Sequence, residues 1–470
     1  MTIRKAATLA GIAFLAVAPS AAAQAPPGWP AFRAMFEEMV ETDTSAASGD
    51  CTVLAQRTAA RMQAAGFPAA DLHVFTPDGK PKDGGLVAVY PGRDPAAKAV
   101  LMHGHIDVVN ARREDWTRDP FTLVEENGEF YGRGVSDMKA QDAIWADILV
   151  RFHQEGHRPH RTVKLALTCG EEGGGFVNGA GWLAQNRREL IDAGFAITEG
   201  GGGDLDANGK KLAVTVMAQE KQAASFVLEV TNPGGHSSRP RRDNAIYTLA
   251  RAIVRLEALE FPVEFNGPNR AYFSGMAGVA GPEDAAAMRA LVADPGDAGA
   301  AARLRQAPAY NAMLGTTCIP VLLDAGHAGN AQPQRARATV NCRLLPEASV
   351  PALRATLERA VRDPVVKVTG GAGGPVKAAA PPLTPAFMDP IRAVAAEVHP
   401  GLPVVPMQET FGTDAGRFIG VGIPTYGFSG LFRGLDGGAI HGLNEHISVQ
   451  AVMEGREFLY RLIKFYAEQP

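Results

Sequence analysis

Five short segments of this sequence gather imidazoles and carboxylates in patterns that suit metal-assisted hydrolysis. The first, His103-Gly104-His105-Ile106-Asp107, sets His105 and Asp107 two residues apart. In an extended chain that spacing points both groups to one face. The pair fits a metal-ligating histidine oriented by an aspartate, and equally a structural His–Asp hydrogen bond. In Gly132-Arg133-Gly134-Val135-Ser136-Asp137-Met138-Lys139, glycines permit a tight loop ahead of a helix. Asp137 there could bridge two metal ions through its two oxygens, or cap the helix N-terminus. Cys169-Gly170-Glu171-Glu172-Gly173 sets two acids side by side after an apolar run. Adjacent carboxylates repel, so burying them requires cations or a raised pKa. One acid can then ligate metal while the other serves as general base; a solvated acidic turn is the competing reading. Thr198-Glu199 precedes four glycines, and His441-Gly442-Leu443-Asn444-Glu445-His446 lies near the C-terminus. Singly each segment is weak. Together they offer two imidazoles, three carboxylates and a spare glutamate, a donor set for two zinc ions with open positions.

Such groups need strand ends to hold them. Residues Pro30 to Gly66 read as helices from their apolar spacing, while Leu86–Tyr90, Val100–His105, Val163–Cys169 and Phe195–Thr198 read as strands. Helical patterns run from near Met138 to about Phe152 and over Gly179–Ala193. This alternation predicts an α/β sheet flanked by helices, and open α/β sheets bind ligands at the carboxyl ends of their strands. After Glu220 the character changes. Strands at Ala223–Thr231, Gly315–Leu323, Ala336–Leu344 and Val365–Thr369, with helices at Asn244–Leu259 and Val350–Val361, give the ferredoxin-like order β-α-β-β-α-β. Residues 260–312 interrupt it as an insertion that could cover the mouth of an active site. The Gly- and Pro-rich run Gly370–Pro385 marks the return to the first domain.

With these segments in this order, the chain resembles the co-catalytic metallopeptidases that include carboxypeptidase G, acetylornithine deacetylase, succinyl-diaminopimelate desuccinylase and aminoacylase. It leans towards the branch of the yeast vacuolar carboxypeptidase and the N-acyl-amino-acid hydrolases, through Asn311–Cys318, Asn341-Cys342-Arg343 and the glycines after Glu199. The resemblance implies a zinc-exopeptidase-like catalytic domain in two parts, 29–219 and 373–470. Between them it implies an inserted ferredoxin-like α+β lid or dimerisation domain, 220–372. It also implies two Zn2+ per subunit, with Co2+ or Mn2+ as possible substitutes. His105, Asp137 and Glu199 would hold one ion, and Asp137, Glu172 and His441 the other, with Asp107 orienting His105. Glu171 would be the general base, moving a proton from the metal-bridging water to the leaving amine. His236, in Gly234-Gly235-His236-Ser237-Ser238-Arg239-Pro240, would reach the partner subunit of a homodimer and stabilise the oxyanion. Asn330 and Arg343 would contact substrate, the arginine pairing with a terminal carboxylate; a surface salt bridge is the plainer role for Arg343. Asp414, in Gly412-Thr413-Asp414-Ala415-Gly416-Arg417, would support the site. His103 and His446 fall where the family does not use a ligand.

The implied substrate is a small peptide or N-acyl amino acid, cleaved at the amide bond next to a free carboxylate. A non-catalytic binding protein on the same fold is an alternative, as is a deacylase of a small biosynthetic N-acyl amino acid. A net charge of −4 over 470 residues gives no reason to expect a nucleic-acid partner. Arg4 and Lys5, the apolar run Ala6–Ala18 and the small residues after Pro19 predict a signal peptide over residues 1–24, cleaved near Ala23 or Ala25. The mature protein is then secreted or periplasmic, without a membrane partner after processing. An oxidising compartment permits bridges among Cys51, Cys169, Cys318 and Cys342 without requiring them; Cys169 ends one apolar strand-like run and Cys342 lies inside another, which favours buried free thiols.

Overall fold

The computed structural model describes residues 26–371 and 380–470. The expected signal peptide and the expected domain boundary at 372/373 lie outside them. Among the described residues, ten strands form one mixed sheet. Its path runs Leu72–Phe75, Gly85–Tyr90, Val163–Thr168, Val100–His105, Phe195–Thr198, Thr425–Gly427, Lys211–Glu220, Gly202–Leu205, Phe432–Arg433, and Val404–Glu409 pairs beside Lys211–Glu220. Val100–His105 pairs in parallel with both Val163–Thr168 and Phe195–Thr198. Their near-continuous apolar sequences are what a parallel sheet covered on both faces requires. Helix Lys139–Gln154 packs on this centre with Ile144, Trp145, Ile148, Leu149 and Phe152 fully buried. The parallel register brings His105, the turn after Thr168 and the turn after Thr198 to one edge of the sheet.

A second, four-stranded antiparallel sheet has the order Thr317–Ala325, Arg335–Leu344, Gln222–Thr231, Lys367–Gly370. Alternate residues Ala224, Phe226, Leu228 and Val230 point inward, as a sheet with one covered face demands. Helices Ala245–Glu257 and Val350–Val361 supply the cover. Asn244 caps the first through Ile246 N–H and Tyr247 N–H, and Ser349 caps the second.

Three features depart from the sequence reading. Residues 260–312 do not cover the site. They form the helices Gly267–Met276, Pro282–Ala293, Ala298–Leu304 and Pro308–Met313. Tyr272, Phe273, Met276, Met288 and Leu291 pack against Leu212, Val405 and Met407 of the large sheet, so the insertion extends the core. Gly179–Ala193 is two helices, Gly179–Asn186 and Arg188–Ile191, because Arg187 leaves helical geometry at φ −140, ψ 47. The cysteines are not free thiols. Cys51, at the start of helix Cys51–Ala64, bonds Cys169 just beyond its strand, 118 residues away. Cys318 and Cys342 sit directly opposite in neighbouring strands and bond there. Spacing in the sequence carried no sign of either approach.

Candidate metal centre

His105, Asp137, Glu172, Glu199 and His441 converge at the edge where the parallel strands end. Ligand atoms of His105, Asp137 and Glu199 lie within 4.8 Å of one another, as do those of Asp137, Glu172 and His441. Asp137 stands between the groups, with Oδ1 3.1 Å from His105 Nε2 and Oδ2 3.2 Å from His441 Nε2. Glu199 Oε2 is 3.8 Å from His105 Nε2, and Glu172 Oε1 is 2.8 Å from His441 Nε2. His105 Nδ1–H donates to the Asp107 carbonyl at 3.0 Å, which leaves Nε2 to face the cluster.

The electrostatics follow from crowding these acids into a dry site. Burial, with Glu199 adding to it, pushes the Glu171 carboxyl up to about 10. Burial likewise raises Glu199 to about 7 and Asp107 to about 6. Burial opposes the charge of Asp137, yet its hydrogen bonds to His105 and His441 hold its carboxyl well below the usual range. Desolvation pulls His441 down, but hydrogen bonds to Asp137 and Glu172 carry it up to about 10. Protons thus hold the places that divalent cations would compete for. Two imidazoles and three carboxylates, one of them shared, fit two zinc-like ions in composition and charge.

The surrounding residues sort into those that hold loops and those that face the cavity. The carboxylate of Asp107 does not make the hydrogen bond that orients His105; its Oδ1 is 3.8 Å from Nδ1, and the backbone carbonyl orients the ring instead. Its oxygens accept the N–H groups of Glu171 at 3.3 Å and Glu172 at 3.0 Å, fixing the turn that carries both acids. Asp414 does not line the cavity. It is buried, and Oδ1 accepts from Asn178 Nδ2 at 2.6 Å, which also donates to the Gly170 carbonyl. His103 is buried between Thr168 and Thr198, held neutral by burial that lowers it to about 3.

A cavity of about 720 Å3 opens over the cluster. Asp137, Glu171, Glu172, Glu199 and His441 form its floor, and Arg343 of strand Arg335–Leu344 reaches it from the second sheet. The Arg343 guanidinium donates through Nε to Asn341 Oδ1 at 3.2 Å and makes no ion pair among the described residues. His236 and Asn330 are not brought to this cavity. Both are exposed, and they neighbour each other where Gly235–His236 pairs with Ala331–Gln332 and Ser237 N–H donates to the Asn330 carbonyl. Sequence reasoning missed Arg433, which faces the cavity and donates to the Ser136 carbonyl and hydroxyl. It also missed Glu445 and Arg133, a buried ion pair at 2.7 Å beside Asp137. Arg133 and Glu445 each lie inside a segment that carries a ligand, which marks the segments but not the pairing; Arg433 lies in none of them.

The sequence profile of Peptidase family M20/M25/M40 matches residues 101–464. The mouse N-fatty-acyl-amino acid synthase/hydrolase PM20D1 is 28% identical over 396 residues, covering 79% of this chain and 75% of that protein. Pig aminoacylase-1 is 32% identical over 170 residues, 36% of this chain and 40% of that protein. Among solved structures, an M20 metallo-carboxypeptidase from Sulfolobus solfataricus superposes with a TM-score of 0.65 at 18% identity, covering 93% of this chain and 99% of that one. The Saccharomyces cerevisiae di-peptidase Dug1p gives 0.64 at 14% identity, covering 94% and 96%. With its fold shared and its family profile matched over most of its length, the chain belongs to the M20/M25/M40 peptidase family and is a hydrolase acting on amide bonds.

Proposed function

We propose that this protein hydrolyses small N-acyl amino acids or C-terminally free dipeptides at the amide bond next to the free carboxylate. The observation that carries the reading is one cavity lined by four residues of the five-ligand cluster, with His105 just beneath them against Asp137, by Glu171, and by an arginine with no ion-pair partner among the described residues. His105, Asp137 and Glu199 would hold one divalent cation, zinc by donor type, and Asp137, Glu172 and His441 the other. Bound there, the pair would supply Lewis acidity and ease the ionisation of water. Glu171 takes a proton from the attacking water on its carboxylate and returns it to the leaving nitrogen. The buried, acid-crowded setting that raises the Glu171 carboxyl in the metal-free protein would be offset by positive charge held on the neighbouring ligands, leaving Glu171 free to act as a base. Arg343 pairs with the substrate carboxylate and orients the scissile carbonyl over the cluster.

The same reading includes a homodimer. Thr317–Ala325 is the edge of its sheet, with Ile319, Val321, Leu322 and Leu323 all about half exposed or more. Unpaired apolar edges invite a second strand, and a second copy offers one. His236 and Asn330, exposed and away from their own cavity, would then serve the partner's site. The expected signal peptide and the two disulfides favour a secreted or periplasmic protein. The test is Glu171→Gln. It should keep the bound metal of the wild type and lose hydrolysis by ~10²–10⁴-fold; wild-type turnover would overturn the mechanism.

A further inference from the structure

The loop that carries His441 is poorly suited to present a ligand by itself. The His441 side chain is 51% exposed. Its backbone adopts a left-handed φ of 62°, and the non-glycine neighbours Ala439 and Asn444 do so too, at 55° and 54°. Such conformations are uncommon for residues with a side chain, Asn the least so, and persist where the surroundings over-determine them.

A central part of these surroundings is one buried ion pair. Glu445 is fully buried. Its Oε1 accepts Ser136 N–H at 2.9 Å and Asp137 N–H at 3.0 Å, and its Oε2 accepts Gly134 N–H at 3.0 Å and Arg133 Nη1–H at 2.7 Å. Arg133 Nη2–H reaches the Gly442 carbonyl at 2.9 Å, and Gly132 N–H donates to the Glu445 carbonyl. Two segments about 310 residues apart are thereby stapled together, one ending at Asp137 and the other beginning at His441. The ties are not symmetric. Arg433 separately holds Ser136 through its carbonyl and hydroxyl, so the Asp137 loop keeps an anchor without the pair. Besides the pair, the His441 loop is tied at its flanks, where Thr117 N–H and hydroxyl donate to Asn444 Oδ1, His446 N–H donates to the Gly438 carbonyl and His446 pairs with Tyr131, none of which touches His441 itself.

We infer that Arg133 and Glu445 are positioning residues that set the distance between Asp137 and His441, and so govern the metal site formed by Asp137, Glu172 and His441 rather than the one formed by His105, Asp137 and Glu199. The inference rests on the metal reading proposed above. Outer partners that fix ligands typically carry about 10–100-fold in metal affinity.

The experiment titrates apo protein with zinc against a chromophoric chelator and fits two sites, for wild type, Arg133→Lys and Glu445→Gln. Arg133→Lys keeps the charge beside Glu445 but replaces the two-pronged guanidinium, whose separate nitrogens reach Glu445 and the Gly442 carbonyl, by a single shorter-reaching nitrogen, so it stays informative if Glu445→Gln does not fold. Folding is checked by circular dichroism and thermal unfolding. One site should weaken by about tenfold or more while the other changes by less than about threefold. Saturating zinc should restore kcat at unchanged KM. Visible spectra of the cobalt-loaded variants should show one altered ion. Folded variants that bind both ions as tightly as wild type, or lose both equally, would overturn the inference. Wild type that binds fewer than two ions would overturn the metal reading itself, a distinguishable failure.

Discussion

Replacing Arg343 by methionine removes the guanidinium and its charge while keeping an unbranched apolar stem. In the structure this guanidinium spends one N–H on Asn341, and its terminal nitrogens have no ion-pair partner among the described residues. A fork of two charge-assisted bonds to a substrate carboxylate is therefore what the substitution deletes. Hydrogen bonds to charged groups contribute about 1.5–3 kcal/mol each. Arg343 is only half-buried, so solvent screening brings the pair to about 3 kcal/mol in total. That corresponds to a fall of ~10²-fold in kcat/KM. The assay compares N-acetyl amino acids with their C-terminal amides, in wild type and variant. The acids should lose the full factor and the poorly cleaved amides less than about threefold, since they offer no anion to the fork. An equal loss on acids and amides would refute carboxylate recognition, and so would no loss on either.

Asp107→Asn should destabilise the turn bearing Glu171 and Glu172, because an amide NH2 must face one of two N–H donors. A loss of about 1–3 kcal/mol, read by thermal unfolding, is expected with reduced kcat. Stripping metal should lower stability as well, by about 4 kcal/mol relative to protein with zinc at a thousandfold its dissociation constant; a midpoint that ignores zinc concentration would count against the cluster as a metal site. Leu322→Lys places a charge on the exposed edge strand and should yield monomers in analytical ultracentrifugation. Mixing inactive Glu171→Gln subunits with His236→Ala subunits should recover about a quarter of wild-type activity, because a mixed dimer assembles one intact site. No recovery from a mixture shown to form mixed dimers would place His236 outside the partner's chemistry.

Much of this site was legible because its ligands sit where strand periodicity stops. His105 ends one parallel strand, Glu199 follows another and Glu171-Glu172 follow a third, so period and acid content coincide. The ferredoxin-like order was legible for a similar reason, since Gln222–Thr231 and Arg335–Leu344 alternate cleanly between covered and open faces. What the sequence hid are contacts between distant segments that leave no local period. Helix Cys51–Ala64 meets the end of a strand 118 residues later, and only that packing makes a disulfide possible. Arg133 and Glu445 read as ordinary loop charges until the fold buries them together. The insertion's apolar residues could have faced solvent, a partner or the cavity. Their docking on Leu212, Val405 and Met407 is a property of the large sheet's free face.

The most direct measurement counts metal in purified, zinc-loaded protein while following cleavage of a panel of N-acyl amino acids and C-terminally free dipeptides, before and after chelation. The account predicts two ions per chain, cleavage lost with the chelator, and cleavage regained on adding zinc back. Undiminished cleavage by protein stripped of metal would contradict it, as would a fully loaded protein that cleaves nothing in the panel.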